Sequence, residues 1–218
     1  MSEIKVNKVS PATGTAIQLG DSGDTFTVPS GATIVNSGTA TGFGGGIWEF
    51  VSSVTAASSS TLEFTNMASG YDYTYVLEHI VSTNDSAFIR LRLGVAGPTY
   101  RTTGYFSAGT AITNPGGSQS SEATDSILMM SDGNEAIGTG TDESLKVAEL
   151  TVYDPAGTTN DTMVMGDLYV HGASPQTQRH WFVGFYNTAT EVHTSIQFYL
   201  SAGDMTSGKI YQYRRLRS

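Results

Sequence analysis

The segment Ile89-Arg90-Leu91-Arg92-Leu93 alternates apolar and charged side chains with the period of two that indicates a β-strand. Because successive side chains of a strand point to opposite faces, its apolar residues share one face and its arginines share the other. The segment Ile196-Gln197-Phe198-Tyr199-Leu200 repeats this alternation. Turn-forming residues such as Gly97-Pro98 and Asn114-Pro115-Gly116-Gly117 separate segments of this kind. These stretches predict a protein built from strands.

The composition of the chain favours the same class. Of the 218 residues, 39% are hydrophobic and 14% are charged, and both shares are below those of an average globular protein. Gly, Ser, Thr and Asn make up the difference. These residues disfavour long helices, since Gly loses much entropy there and the small polar side chains compete for backbone hydrogen bonds. We therefore predict an all-β fold.

Residues 47–218 are predicted to form the larger domain. The predicted strands are 47–54, 61–65, 73–81, 87–95, 126–131, 146–153, 163–170, 180–186, 195–200 and 209–216. Many short strands at nearly regular spacing are typical of a two-sheet β-sandwich. We predict a jelly-roll-like sandwich, with another Greek-key topology as the open alternative.

Residues 1–46 predict a small N-terminal β module that ends in a Gly-rich linker at 38–46. Short strands are predicted over 4–9, 16–19, 25–28 and 32–36, with turns at 20–24 and 29–31. The module has too few apolar side chains for a core of its own, so we expect sister chains or another protein surface to complete it. The residues predicted to serve attachment and oligomerisation are Ile4, Val6, Ile17, Leu19, Phe26, Val28 and Ile34.

Several residues of the larger domain are candidates for contact with a partner or a glycan. The polar stretch 107–125 is predicted to be a long loop that faces a partner, and Tyr100 and Tyr105 lie near its start. Arg214 and Arg215 belong to a C-terminal strand rich in basic residues. They could contact an acidic neighbour or pair with acids of their own or a sister chain, and both interpretations stay open.

Aromatic residues form two clusters in the sequence. Trp48, Trp181 and Phe185 are expected in the core. Tyr73 and Tyr75 share one face of a strand, which suits either the core or an interface.

Charge and composition exclude several classes of function. The formal net charge is −9, which argues against nucleic-acid binding because phosphates need a cationic surface. Without cysteine, the chain has neither a disulfide framework nor a thiolate metal site. The N-terminal residues lack the basic start and apolar run of a signal peptide. No apolar stretch approaches the roughly 20 residues that span a bilayer. We therefore expect synthesis in a cytoplasm and no membrane insertion.

No catalytic or metal-binding motif is predicted. Residues 20–24, Gly-Asp-Ser-Gly-Asp, are similar to the nucleophile segment of a serine protease, but an ordinary turn is the favoured interpretation. The histidines His79, His171, His180 and His193 fit no zinc motif. The acids at 132–135 and 142–143 lack the spacing of a calcium loop. We expect no catalytic residue, no metal and no cofactor.

Two stretches carry a resemblance to a known group of proteins. Ile4-Lys5-Val6-Asn7-Lys8-Val9-Ser10-Pro11, followed by residues 19–34, is similar to the opening module of tail-fibre-like appendage proteins of tailed bacteriophages, particularly those of marine and cyanobacterial hosts. The domain from Trp48-Glu49-Phe50-Val51 to Gly208-Lys209-Ile210-Tyr211 resembles the jelly-roll-like tip or decoration domains of such proteins.

The resemblance implies a non-catalytic homotrimer on the virion surface. Its N-terminal module would dock on other virion proteins of the capsid or tail, and its larger domain would face outward. The chain carries no shaft of repeats, which favours a short appendage of the head-decoration, head-fibre or short tail-fibre type. The alternative hypothesis is a lectin-like, carbohydrate-binding module that attaches to a host-surface glycan. A polysaccharide-degrading enzyme is the third class.

Overall fold

The structure, a computed structural model, divides into two compact units, Met1–Gly44 and Gly45–Ser218. The described residues are 11, 13–14, 17, 21–25, 27–33, 47–113, 118–123, 125–130, 136–172, 177–188 and 190–217. Within these ranges, no helix has the length and apolar character to cross a membrane.

Two turns occur among the described residues of the first unit. The Asp24 amide donates to the carbonyl oxygen of Asp21 at 3.0 Å, and the Ala32 amide donates to that of Pro29 at 3.1 Å. Gly23 and Gly31 have φ angles of 98° and 85°. A type II turn requires a positive φ at its third residue, which glycine adopts without strain. Both predicted turns of this unit are confirmed.

The strands predicted for the first unit are wrong where the structure describes them. The described residues within 16–19, 25–28 and 32–36 lie outside any strand. A short strand with few apolar side chains is marginal without a neighbour that takes its backbone hydrogen bonds. Ile17 and Val28 are exposed. The predicted strand 4–9 and the attachment residues Ile4, Val6, Leu19, Phe26 and Ile34 lie outside the described residues.

The described part of the second unit forms thirteen strands. They are β1 (Glu49–Thr55), β2 (Thr61–Phe64), β3 (Tyr71–Ser82), β4 (Ile89–Val95), β5 (Thr99–Tyr100), β6 (Tyr105–Thr113), β7 (Ser118–Ala123), β8 (Ile127–Leu128), β9 (Leu145–Tyr153), β10 (Thr162–His171), β11 (Thr177–Tyr186), β12 (Ser195–Leu200) and β13 (Met205–Leu216).

These strands form two antiparallel sheets. The large sheet has eight strands in the order β1-β13-β3-β9-β10-β11-β6-β7. The small sheet has the order β2-β12-β4-β5, with β8 paired to β4. The predicted all-β class with two sheets is confirmed, and each of the ten predicted segments overlaps a strand. The jelly-roll topology stays a prediction.

Buried side chains join the two sheets. Tyr75 of β3 lies with its ring centroid 5.2 Å from Phe64 of β2 and 5.3 Å from Phe198 of β12. The hydroxyl of Tyr105 on β6 accepts a hydrogen bond from the Leu93 amide of β4 at 2.7 Å and lies 3.2 Å from the Leu93 carbonyl oxygen. The inner face of the large sheet is therefore filled by the small sheet, and the core lies between them.

The predicted loop over 107–125 is wrong where the structure describes it. Residues 107–113 and 118–123 belong to β6 and β7, which pair antiparallel from Ser107↔Ala123 to Ile112↔Ser118, and β6 also pairs with β11. The stretch is rich in Gly, Ser, Thr and Ala, whose low apolar content hides the alternation of a strand. Backbone hydrogen bonds to a neighbouring strand do not depend on that content.

Candidate functional site

The candidate functional surface is the outer face of the large sheet, formed by alternate residues of β6, β9, β10 and β11. Along β10, Val164 and Leu168 are buried, whereas Met163 and Tyr169 are exposed. The same alternation runs along the other three strands. The large apolar side chains exposed on the outer face are Phe106, Ile112, Val147, Met163, Tyr169, Trp181 and Phe185. Open faces of antiparallel sheets are usually polar, so this face is unusual.

The strand register arranges the outer-face residues in rows. One row contains Tyr153, Met163, Phe185 and Phe106. A second row, two rows further along the sheet, contains Glu149, Asp167, Trp181 and Thr110. The row next to it contains Val147, Tyr169, Arg179 and Ile112. Directly opposed side chains in such rows have Cβ atoms about 5 Å apart. The face is therefore a continuous surface of apolar and polar groups in contact.

Trp181 and Phe185 lie on this outer face, so their predicted place in the core is wrong. Trp181 is 44% exposed. Phe185 stacks on Phe106 at a centroid distance of 5.2 Å, also on the outer face. Their neighbours Phe182 and Tyr186 take the inward positions of β11. Trp48 is half-buried, and the guanidinium of Arg215 lies 5.0 Å from its ring centroid. Tyr73 and Tyr75 are in the core.

A groove of about 470 Å³ opens in the outer face. Its walls are formed by Trp181, Tyr169 and Tyr153, and its polar groups include Glu149 and Asp167. A second depression of about 310 Å³ is lined by Thr110, Ile112, Arg179 and Trp181. Since Trp181 lines both, the two depressions adjoin at its ring. Concave surfaces that combine aromatic walls with a few polar groups are typical binding sites.

An ion pair lies beside the groove. The Arg179 guanidinium contacts Asp167 Oδ1 through Nη2 at 2.7 Å and through Nε at 2.8 Å. The hydrogen bond from Arg179 to Asp167 raises the pKa of Arg179. The same guanidinium lies 5.8 Å from the ring centroid of Tyr169. Arg179 therefore lies in contact with the carboxylate and beside the aromatic wall.

Tyr100 and Tyr105 do not present their hydroxyl groups to a partner, contrary to the sequence-based expectation. Tyr105 is fully buried, and its hydroxyl is bonded to the backbone of Leu93. Burial raises the pKa of Tyr105. Tyr100 is half-buried in β5, and burial of its hydroxyl beside Glu63 raises its pKa. The two tyrosines support the sandwich from within.

Arg214 and Arg215 pair with acids of their own chain, as one of the two open interpretations predicted. Arg214 binds both carboxylate oxygens of Glu49, at 2.9 and 3.2 Å, which lowers the pKa of Glu49. Arg215 contacts Asp72 Oδ2 through two nitrogens at 3.1 and 3.0 Å. Contact of these arginines with an acidic neighbour stays a prediction.

A hydroxyl, an imidazole and a carboxylate line up beside the end of β11. Thr162 Oγ1 lies 2.9 Å from His193 Nδ1, and His193 Nε2 lies 3.2 Å from Glu191 Oε1. Arg101 donates two hydrogen bonds of 2.7 Å to Glu191 and lowers its pKa. The order is that of a catalytic triad, but Thr162 and His193 are buried. This chain of contacts ties loops to the sandwich.

His180 is the inward neighbour of Trp181 on β11. It is buried, and its Nε2 lies 3.0 Å from Gln178 Oε1. Burial lowers the pKa of His180 to about 4, so the imidazole is neutral at physiological pH.

The histidines and acids are the potential metal ligands of this chain. No group of three or more such side chains that could hold a metal ion occurs in the described ranges. The acids at 132–135, which lack the spacing of a calcium loop, lie outside those ranges. His171 bonds through Nδ1 to the Asp142 carbonyl oxygen.

Sequence reasoning missed the outer face as a site. The sequence signal was two pairs of adjacent aromatic residues on β11, Trp181-Phe182 and Phe185-Tyr186. Neighbours on a strand point to opposite faces, so a single partner sheet can bury only one residue of each pair. In comparisons with known proteins, no family model, no curated protein and no solved structure matches this chain.

Proposed function

We propose that the chain is a non-catalytic virion structural protein, a short trimeric surface appendage of a tailed bacteriophage. Residues 1–46 dock on capsid or tail proteins and on sister chains, and the sandwich faces outward on the virion surface. The phage assignment rests on the resemblance of the N-terminal module and the sandwich. Assembly is supported by one observation, the exposure of apolar side chains in the first unit.

The exposed apolar side chains of the first unit suit an attachment segment. Ile17 is 43% and Val28 is 37% exposed, and both are among the residues predicted to serve oligomerisation. In the second unit, the outer face presents aromatic and aliphatic residues over four strands. Surfaces of this kind are typical of proteins that bind other molecules. A protein that works by binding other molecules would expose apolar side chains both in the first unit and on the outer face of the second.

Light scattering coupled to size-exclusion chromatography tests the assembly. We expect the intact chain to elute as a trimer and the double variant Ile17→Asp/Val28→Asp to elute as a monomer, because buried charges disrupt an apolar contact. Thr27→Asp, a change at an exposed neighbour, is the control and should stay trimeric. A stable wild-type monomer that does not attach to purified capsids or tails contradicts the proposal.

A second candidate function is carbohydrate recognition, with the appendage acting as a lectin-like adhesin for a host-surface glycan. The groove at Trp181 is the observation that favours it. Exposed aromatic rings beside hydrogen-bonding groups suit ligands that have an apolar face and a hydroxylated edge. Binding of host polysaccharide by the intact chain is the test of this candidate.

A further inference from the structure

The two depressions that Trp181 lines lie on the outer face and are together called the trough. The larger, of about 470 Å³, extends from the Trp181 ring over β10 to Tyr153 on β9. The smaller, of about 310 Å³, extends from the same ring to Thr110 and Ile112 on β6. The trough crosses four strands and has an aromatic ring at its middle. Its shape suits an extended ligand that contacts both sides of Trp181.

The aromatic rings of the trough offer stacking surfaces. Trp181 is 44% and Tyr169 is 41% exposed. The two residues lie on neighbouring strands and in neighbouring outward rows, because Trp181 opposes Asp167 and Tyr169 opposes Arg179. They are therefore diagonal neighbours, about 7–8 Å apart, with Cβ atoms somewhat closer. A pyranose ring has an apolar face of C–H groups that can pack on the faces of Trp and Tyr, while the Trp N–H and the Tyr O–H remain available for hydrogen bonds.

Hydrogen-bonding groups lie beside these rings. The trough contains the carboxylates of Glu149 and Asp167 and the hydroxyl of Thr151. A carboxylate accepts hydrogen bonds and donates none when ionised, so it pairs with donors such as sugar hydroxyls. Hydrogen bonds to a charged acceptor are shorter and stronger than those between neutral groups. The arrangement matches a polyhydroxylated ligand better than a purely apolar one.

The charge of the trough selects among such ligands. Its charged residues are Glu149, Asp167 and Arg179, and the last two form an ion pair. Two negative charges and one positive charge leave a net charge of −1, which repels uronic acids, sialic acids and phosphorylated sugars. We propose that the trough around Trp181 binds an extended neutral oligosaccharide. This inference deepens the second candidate function and does not depend on trimer formation.

The same charge argues against a second copy of the chain as the occupant. An interface that brought two copies of this trough face to face would place a net charge of −1 on each side. Like charges in a desolvated interface cost several kcal/mol. A free hydroxylated ligand meets no such penalty.

Isothermal titration of the intact chain tests the proposal. The probes are cello-, manno- and galacto-oligosaccharides as neutral ligands, and oligogalacturonate as the anionic ligand. We expect at least one neutral probe to bind and oligogalacturonate not to bind. Trp181→Ala should weaken the neutral ligand about tenfold or more, because a central aromatic contact carries a large share of binding energy. Trp181→Phe should restore much of the affinity, since it keeps a ring.

Phe106→Ala is the matched control. Phe106 is an exposed aromatic residue on the same face, but it lines neither depression. We expect its affinity to stay within about twofold of the wild type, since contacts outside the central patch contribute little. Thermal denaturation of each variant shows whether the sandwich remains folded.

Three results would overturn the inference. The first is that the wild type binds none of the neutral probes or binds only oligogalacturonate. The second is that Trp181→Ala and Phe106→Ala bind equally well. The third is that Trp181→Ala reduces the oligomer size in light scattering, which would identify a second copy as the occupant. A wild-type protein that is trimeric but binds no sugar would contradict this inference and not the proposed structural role. The variant Ile17→Asp/Val28→Asp tests that role separately.

Discussion

The inner and outer faces of β9, β10 and β11 are built from alternate residues of the same strands, yet their surroundings differ. Phe182 is fully buried against the small sheet, whereas its neighbour Trp181 is 44% exposed. Both faces carry large apolar side chains. A hydrophobic pattern therefore does not identify the core in this sheet, because the small sheet covers one face and leaves the other free to bind.

Truncation of Phe182 should have the largest effect on stability. We expect Phe182→Ala to lower the free energy of unfolding by about 3–5 kcal/mol, because it leaves a cavity in a packed core. Trp181→Ala, one residue away, should lower it by at most about 1 kcal/mol, as surface substitutions generally do. Urea denaturation of both variants measures the difference. Equal losses would contradict the assignment of the two faces.

Protonation of His180 should be the next largest effect, and it concerns the inner face. Burial holds the pKa of His180 near 4, below its ordinary value of 6.5. The unfolded chain therefore binds this proton at a higher pH than the folded one. The free energy of unfolding therefore keeps its full value above pH 6.5, and it falls by up to about 3 kcal/mol as the pH decreases towards 4.

Urea denaturation at several pH values measures the contribution of His180. We expect His180→Gln to lose less stability than the wild type between pH 6.5 and pH 4. His171→Gln, which changes a partly exposed histidine at the end of β10, serves as the control and should keep the wild-type slope. Identical slopes for wild type and His180→Gln would mean that the imidazole is accessible to water in the folded state.

Gly166 lies where β9 and β10 approach closely beneath the trough. A Cβ atom at this position would overlap the Glu149 carbonyl oxygen and lie 2.7 Å from Leu150 Cβ. We expect Gly166→Ala to lower the free energy of unfolding by about 1–3 kcal/mol, since overpacking forces the backbone to move. Met165→Ala, at the adjacent outward position, should change it less. A neutral result for Gly166→Ala would show that the two strands can separate at low cost.

The smallest effect should come from the ion pair on the outer face. Arg179 and Asp167 are both exposed at their side chains, at 51% and 36%. Solvent screens such a pair, and exposed ion pairs contribute little to stability. We expect Arg179→Ala to leave the urea midpoint unchanged at physiological salt while it alters binding at the trough. A clear loss of stability would show that Arg179 has a structural role in the sheet.

Local pattern was sufficient for part of this fold. The alternation at 89–93 and 196–200 predicted β4 and β12 correctly, and the Gly-rich turns at 20–24 and 29–31 were also correct. It was insufficient at 107–125, where small polar residues form β6 and β7 at the edge of the large sheet. Such residues form a strand when a neighbouring strand supplies hydrogen bonds, and this neighbour is distant in sequence.

The candidate site shows the same limit. Tyr105 was expected at the surface and is buried, whereas Trp181 and Phe185 were expected in the core and are exposed. All three lie in strands with apolar residues on both sides, so period and residue type do not distinguish inside from outside. A side chain of the large sheet is buried when it lies on the face that the small sheet covers, and it is exposed when it lies on the other face.

The amino-acid sequence by itself determined the all-β class and the approximate positions of ten strands, since both depend on residue propensity and on the alternation of side chains within a few neighbours. Only the tertiary structure decided the order of strands in the sheets, the pairing of β6 with β7 and the exposure of Trp181. These features depend on pairing and packing between segments far apart in the chain, and such contacts leave no local signature.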